Sequence, residues 1–242
     1  MAKIISTYPV FCDLDYCYLE EIKKALNDFN PQISDISLGN LYCYKEYEIK
    51  ITKIFENICF KGFYDNIHFF FQPVGNEKLG ETAGICLKDL REKYGNGIIK
   101  RVQKELAQIF MHKNEFKVEE NRNDFDYVYK VEELANLPGK KYHDKKNLVS
   151  QFKKLCKYKY VKLTKELVFH CKELEEEWCS IKRCSETKHL SEESGCIYEL
   201  LNNFERLNLF GGAIIIDGQI QAFTILEALN KNTAVVHVEK AN

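Results

Sequence analysis

Residues 47–80 read YEIKITKIFENICFKGFYDNIHFFFQPVGNEKLG, and this stretch decides the fold class. From Glu46 to Pro73, three runs rich in β-branched and aromatic residues, YEIKITKIF, NICFKGF and NIHFFFQPV, are separated by turn residues. That is the pattern of a three-stranded antiparallel meander. It leads through Gly75-Asn76-Glu77-Lys78-Leu79-Gly80 into a helix expected from about Glu81 to Tyr94. The loop resembles a turn that receives phosphate at a helix N-terminus, although a plain strand-to-helix connection is the simpler reading.

Working outward, Leu14, Leu19, Ile22, Leu26 and Phe29 recur at helical spacing and predict a helix from about Asp13 to Phe29, ended by Asn30-Pro31. A second short helix follows, with Ser34 or Asp35 as cap. After Tyr94 come a short segment at Ile98-Ile99, a helix to about His112, and strands near Phe116–Glu119 and Tyr127–Val131. The second half repeats the order. A lysine-rich helix from about Asp144 to Cys156 connects, Tyr158–Leu163 reads as a strand, and Lys165–Cys179 and Glu192–Leu207 read as helices. A second meander runs Gly212–Ile216, turns at Asp217-Gly218 into Gln219–Leu229, and turns at Asn230-Lys231-Asn232 into Thr233–Glu239. The expected organisation is residues 1–138 as a first unit, 139–157 as a basic connector helix and 158–242 as the start of a second unit.

Composition narrows the class. The 242 residues carry 35 Lys+Arg against 36 Asp+Glu, a formal net charge of −1, which excludes a globally basic nucleic-acid coat and an acidic solvating chain. With 45% hydrophobic residues and only 4 prolines, the chain can bury a sizeable core and needs no long disordered tract. No apolar run approaches the roughly 20 residues of a membrane span, so any membrane contact is expected to be peripheral. The N-terminus lacks a secretory signal, so the ten cysteines are expected to be reduced and the protein cytoplasmic. His170, Cys171, Cys179, Cys184, His189 and Cys196 lack the close pair spacing of zinc sites, and no metal is expected.

Charge is concentrated in one place. Between Gly139 and Lys162 nine lysines face one acid, Asp144. On a helix, Leu148, Val149, Phe152, Leu155 and Cys156 form one apolar arc, with Lys146, Lys153 and Lys157 lining the far side. Lys140, Lys141, Tyr142, Lys145, Lys146, Asn147, Lys153 and Lys157 are therefore the candidate phosphate- or tRNA-binding residues, with Tyr142, Tyr158 and Tyr160 placed to stack on bases if exposed. A solvated lysine face is the plain alternative. Acid–base candidates lie on the last hairpin. With a three-residue loop at 230–232, Glu227 opposes Val235 and Ile225 opposes His237, so Glu227, His237 and Glu239 share a face. A His beside a carboxylate suits proton transfer from an amine; the alternative is a solvated or structurally paired rim.

The segment GKKYHDKKNLVSQFKK is preceded by DFDYVYKVEELANLP. It is followed by EW at Glu177-Trp178, LLNNFERLNLFGGAIIIDGQIQAFTI and VVHVEKAN. With FCDLDYCYLEEI and SDISLGNLYCY near the N-terminus, these motifs closely resemble the phosphatidylglycerol lysyltransferase C-terminal domain family. The resemblance implies an α+β (mixed α/β) fold of tandem GNAT-like units, each an antiparallel meander with flanking helices, the second one incomplete. It also implies transfer of an aminoacyl group from aminoacyl-tRNA to an amine or hydroxyl acceptor, a small molecule or lipid head group, with catalytic silence expected of a chain cut within the second unit. The other readings are a CoA-dependent N-acyltransferase using acetyl-CoA or acyl-CoA at Gly75–Gly80, and a non-catalytic RNA- or anion-binding module. The last strand, without a neighbour on its outer edge, is expected to favour self-association.

Overall fold

In the computed structural model, which describes residues 3–112 and 116–242, the fold is mixed α+β with two sheets. A short strand β1 (Cys12–Asp13) precedes the first meander, which forms as expected from β2 (Lys50–Ile54), β3 (Asn57–Tyr64) and β4 (Ile67–Phe71). These strands pair antiparallel, with Ile51 opposite Phe60 and Gly62 opposite Phe69. The segment at Ile98-Ile99 becomes β5 (Ile99–Lys100), parallel to β4, and completes a sheet in the order β1-β2-β3-β4-β5. The second sheet runs β6 (Tyr158–Lys162), β7 (Phe210–Ile216), β8 (Gln219–Asn230) and β9 (Thr233–Ala241), again in sequence order. Only β8 flanks β9 in that sheet, so the outer edge of β9 is unpaired among the described residues.

Eight α-helices are described: α1 (Leu19–Phe29), α2 (Leu38–Cys43), α3 (Leu79–Tyr94), α4 (Lys104–Met111), α5 (Val131–Asn136), α6 (His143–Leu155), α7 (Lys165–Lys182) and α8 (Lys188–Asn202). The first helix starts at Leu19 rather than near Asp13. The Asp15 carboxylate accepts the Cys17 amide at 2.7 Å and turns the chain through one 3-10 turn before the α-helix opens. The second helix is capped by Ser37, not by Ser34 or Asp35. The strands expected at Phe116–Glu119 and Tyr127–Val131 do not form; both stretches are irregular, and α5 begins at Val131. Phe116 instead packs on Phe110, ring centroids 5.0 Å apart. Among the described residues no helix is long and apolar enough to cross a membrane.

One hydrophobic core runs through both sheets. It joins Ile22, Ile36, Leu41, Ile51, Phe60 and Phe71 to Leu174, Ile197, Leu200, Leu207, Ile225 and Val238, so the two halves bury their apolar faces against each other. The helix α2 lies in this junction. Its last residue, Cys43, is paired with Cys196 of α8, and Cys179 is paired with Cys184 across the end of α7. The expectation of ten free thiols is thereby corrected. Packing α2 on α8 brings two Cα atoms 153 residues apart in sequence to 4.5 Å, which no spacing pattern announces. A separate buried ion cluster stiffens the first sheet: Lys61 on β3 meets Asp89 of α3 at 3.0 Å under the rings of Phe11 and Tyr94, and Lys93 closes on the same carboxylate.

Candidate functional site

Along β8, Phe223, Ile225, Glu227 and Leu229 alternate inward, which places one carboxylate in an otherwise apolar row. Its two oxygens accept the first backbone amides of α2, Oε1 from Leu38 at 2.9 Å and Oε2 from Gly39 at 2.7 Å. A helix start leaves such amides without partners, so Glu227 completes α2 from 188 residues away in sequence. The imidazole of His237 reaches the same Oε2 through Nε2 at 2.9 Å. Glu227 and His237 are thus brought together, as the sequence predicts, but not by the expected register. Glu227 does oppose Val235, whereas Ile225 opposes Val238, because His237 is an extra residue bulged out of the ladder. That one-residue slip sends Val238 and Lys240 inward and leaves Glu239 exposed opposite Thr224. Glu239 therefore does not share the face of the pair, a correction to the sequence-predicted trio.

The pair is closed. The side chains of His237 and Glu227 are only 2% and 7% exposed. Nδ1 of His237 lies 3.1 Å from Asn40 Oδ1, and the amide of Asn40 is fixed in that orientation because its Nδ2 donates to the Ser34 carbonyl at 2.8 Å. Both ring nitrogens face oxygen atoms of the chain, so each already has a partner within the fold. Gly39 seals the arrangement: a Cβ there would stand 2.5 Å from His237 Nε2 and 2.8 Å from Glu227 Oε2. In this geometry the two residues bolt α2 to the last hairpin.

The other end of α2 borders a cleft of about 520 Å³ between the N-terminal segment and α8, lined by Asp13, Asp15, Tyr16, Tyr42, Lys45, Glu48 and Glu199 among others. Its groups divide into those engaged and those free. Glu199 accepts from Tyr16 Oη at 2.7 Å and pairs with Lys45 at 2.7 Å, while Lys50 stands 3.6 Å from Asp13. The rings of Tyr16 and Tyr42 stack 4.7 Å apart, and burial pushes the hydroxyls of both well above the usual phenol range. Glu48 makes no ion pair among the described residues, and Asp15 commits one oxygen to the Cys17 amide. That amide holds the Asp15 carboxyl below its ordinary value. The cleft gathers four carboxylates, Asp13, Asp15, Glu48 and Glu199, with Lys45 and Lys50 on its wall and the charges of Lys3 and Arg206 reaching Asp15; the sequence signals it only by an unremarkable Asp-Leu-Asp.

The remaining sequence candidates scatter. Tyr142 is buried and its hydroxyl donates to Glu133 at 2.8 Å, which removes it from any stacking surface; Lys141 pairs with the same carboxylate. Lys140, Lys145, Lys146, Asn147, Lys153 and Lys157 are exposed on and around α6. The turn before α3 is braced from within. The buried Asn57 amide donates to the Glu77 carbonyl and, at 2.8 Å, to Thr82 Oγ1. Gly75, at φ 146°, leaves room for Asn57, whose Oδ1 would lie 2.3 Å from a Cβ.

No curated protein matches the chain. Among solved structures, a conserved protein of unknown function from Bacteroides thetaiotaomicron VPI-5482 is similar, with 28% identity and a TM-score of 0.86 over 96% of this chain and 79% of that one. The family model described as "Phosphatidylglycerol lysyltransferase, C-terminal" matches residues 27–242, which takes in β2 to β9, and the chain belongs to that family.

Proposed function

We propose that this chain carries an aminoacyl-transfer site, with aminoacyl-tRNA as donor, a lysyl group as the aminoacyl cargo and an amine or hydroxyl as acceptor. Membership of a family named for lysyl transfer supports the reaction class. The observation that carries the reading is the cleft at the junction of the two halves, whose free carboxylates, Asp15 and Glu48, suit a cargo bearing ammonium groups. A lysyl ester holds two such groups at neutral pH. Asp15, kept anionic by the Cys17 amide, acts as a fixed counter-charge rather than as a base. The reaction itself joins the acceptor heteroatom to the ester carbonyl carbon, breaks the ester C–O bond, and returns the acceptor's proton to the departing ribose oxygen. Glu227 and His237 are positioning residues in this account. By fixing the start of α2 they set Leu41 and Tyr42 in the cleft wall.

The test uses L-lysine methyl ester as a mimic of the donor's acyl end and L-norleucine methyl ester as a control lacking the ε-ammonium. Calorimetric titration should show the lysine ester binding at least about tenfold tighter, a difference of about 1.4 kcal/mol. The Asp15→Asn, Glu48→Gln double variant should abolish the preference. Equal binding of the two esters by the unaltered chain would refute the placement of the site.

A further inference from the structure

The surface of α6 holds a combination that the cleft does not use. Its apolar arc spans about 120° at 100° per residue. Leu148, Val149, Phe152 and Leu155 are 65%, 42%, 36% and 83% exposed, so among the described residues Leu148 and Leu155 stand largely bare while Val149 and Phe152 are partly covered. Lys146 and Lys153 stand about 40–60° beyond one edge of that arc and Lys157 follows just past the helix end, and none of the three makes an ion pair among the described residues. The helix is nevertheless held at both ends. The buried Tyr142 and Lys141 tie its start to Glu133 of α5, and Phe152 packs near Tyr158 at the head of β6, ring centroids 5.0 Å apart. An amphipathic, cationic helix is thus displayed with much of its apolar side exposed.

We propose that α6 docks the chain onto an anionic lipid surface, with Leu148, Phe152 and Leu155 entering the acyl boundary and the flanking lysines at the head groups. Three candidate occupants can be compared by chemistry. Nucleic acid satisfies the lysines but offers phosphate and sugar, not hydrocarbon, to Leu148 and Leu155. A second copy of α6 would cover the arc but set two lysine stripes against each other. An anionic bilayer presents negative charge over an apolar layer and satisfies both features at once. Four large apolar residues on a 13-residue helix imply reversible, salt-sensitive attachment rather than anchoring.

The experiment is co-sedimentation of the chain with phosphatidylcholine vesicles containing or lacking phosphatidylserine. That anionic lipid tests surface charge independently of any acceptor, so the result does not depend on the transfer reading. Binding is expected only with phosphatidylserine. Lys146→Gln, Lys153→Gln, Lys157→Gln should weaken it about 100-fold, at about 1 kcal/mol per lysine. Leu148→Ser, Leu155→Ser should weaken it roughly tenfold or more, although it leaves the charge unchanged. All five positions are exposed, and circular dichroism serves to check that the variants fold. Failure to bind phosphatidylserine vesicles overturns the proposal, as does binding indifferent to the leucine pair. Retention of tRNA without vesicle binding, weakened by the lysine variant alone, assigns the helix to nucleic acid and also overturns it.

Discussion

Replacing Gly39 with alanine tests the lock between α2 and the last hairpin most directly. The new Cβ would meet His237 Nε2 at 2.5 Å, His237 Cε1 at 2.7 Å and Glu227 Oε2 at 2.8 Å, all closer than real carbon contacts permit. Neither partner can swing away freely, because Glu227 is held by two backbone amides and His237 by Asn40. Overpacking of this kind costs about 1–3 kcal/mol. Weakening one charge-assisted hydrogen bond adds about 2 kcal/mol. Alanine's better helix propensity returns about 1 kcal/mol, leaving a net loss of about 2–4 kcal/mol. For a domain of this size the melting temperature should fall by roughly 4–16 °C. Gly84, in the body of α3 with nothing within 4 Å of its would-be Cβ, supplies the control: Gly84→Ala should raise the melting temperature by roughly 1–4 °C. In a His237→Ala background the cost of Gly39→Ala should shrink by at least about 1 kcal/mol, since the closest atoms are gone. Calorimetric melts of the single and double variants decide the matter. A Gly39→Ala protein as stable as the parent would refute the reasoning, because the pair would then have room to move.

Two further outcomes are expected. Thiol titration of the denatured, unreduced chain should count six free cysteines, at positions 12, 17, 59, 86, 156 and 171; a count of ten would disprove both pairings. Burial pushes the Asp89 carboxyl up, but hydrogen bonds and charge from Lys93 and Lys61 outweigh it and hold it below the ordinary value. A depressed carboxyl contributes stability that is complete above its unfolded value of about 3.9 and is lost as pH falls through the folded value. Asp89→Asn should therefore melt lower than the parent at neutral pH and show a flatter decline below about pH 4; parallel curves for the two proteins would contradict this.

Elements whose signal is local were legible in the sequence. The first meander shows in its turn residues, α6 in its apolar spacing and the β7–β8 hairpin in Asp217-Gly218. Features set by distant partners were not. Phe116–Glu119 and Tyr127–Val131 have strand composition, but neither joins a sheet, and β-propensity without a partner yields irregular chain. The proximity of Glu227 and His237 could be read from a hairpin, yet the bulge at His237 could not, and it removed Glu239 from the site. The role of the pair was equally hidden, since it depends on Leu38, Gly39 and Asn40, almost two hundred residues earlier. Asp15 and Glu48 gave no motif; only the pairing of the N-terminal segment with β2, with Asp13 opposite Lys50 and the Leu14 amide on the Ile49 carbonyl, makes them line a common wall.

The shared core has a consequence for how this chain can be taken apart. Each sheet turns its apolar side to the other half, while α5 and α6, which lie between the two sheets in sequence, are almost wholly exposed. The covalent path from first half to second is therefore an outside strap, and the mechanical joint lies elsewhere, in the contact of α2 with α8 and the Cys43–Cys196 pairing. A backbone cut within the strap should leave a two-piece molecule that stays assembled. Separating the halves would require stripping the common interior from both, so the chain has the logic of a split protein whose fragments are stable only as complements.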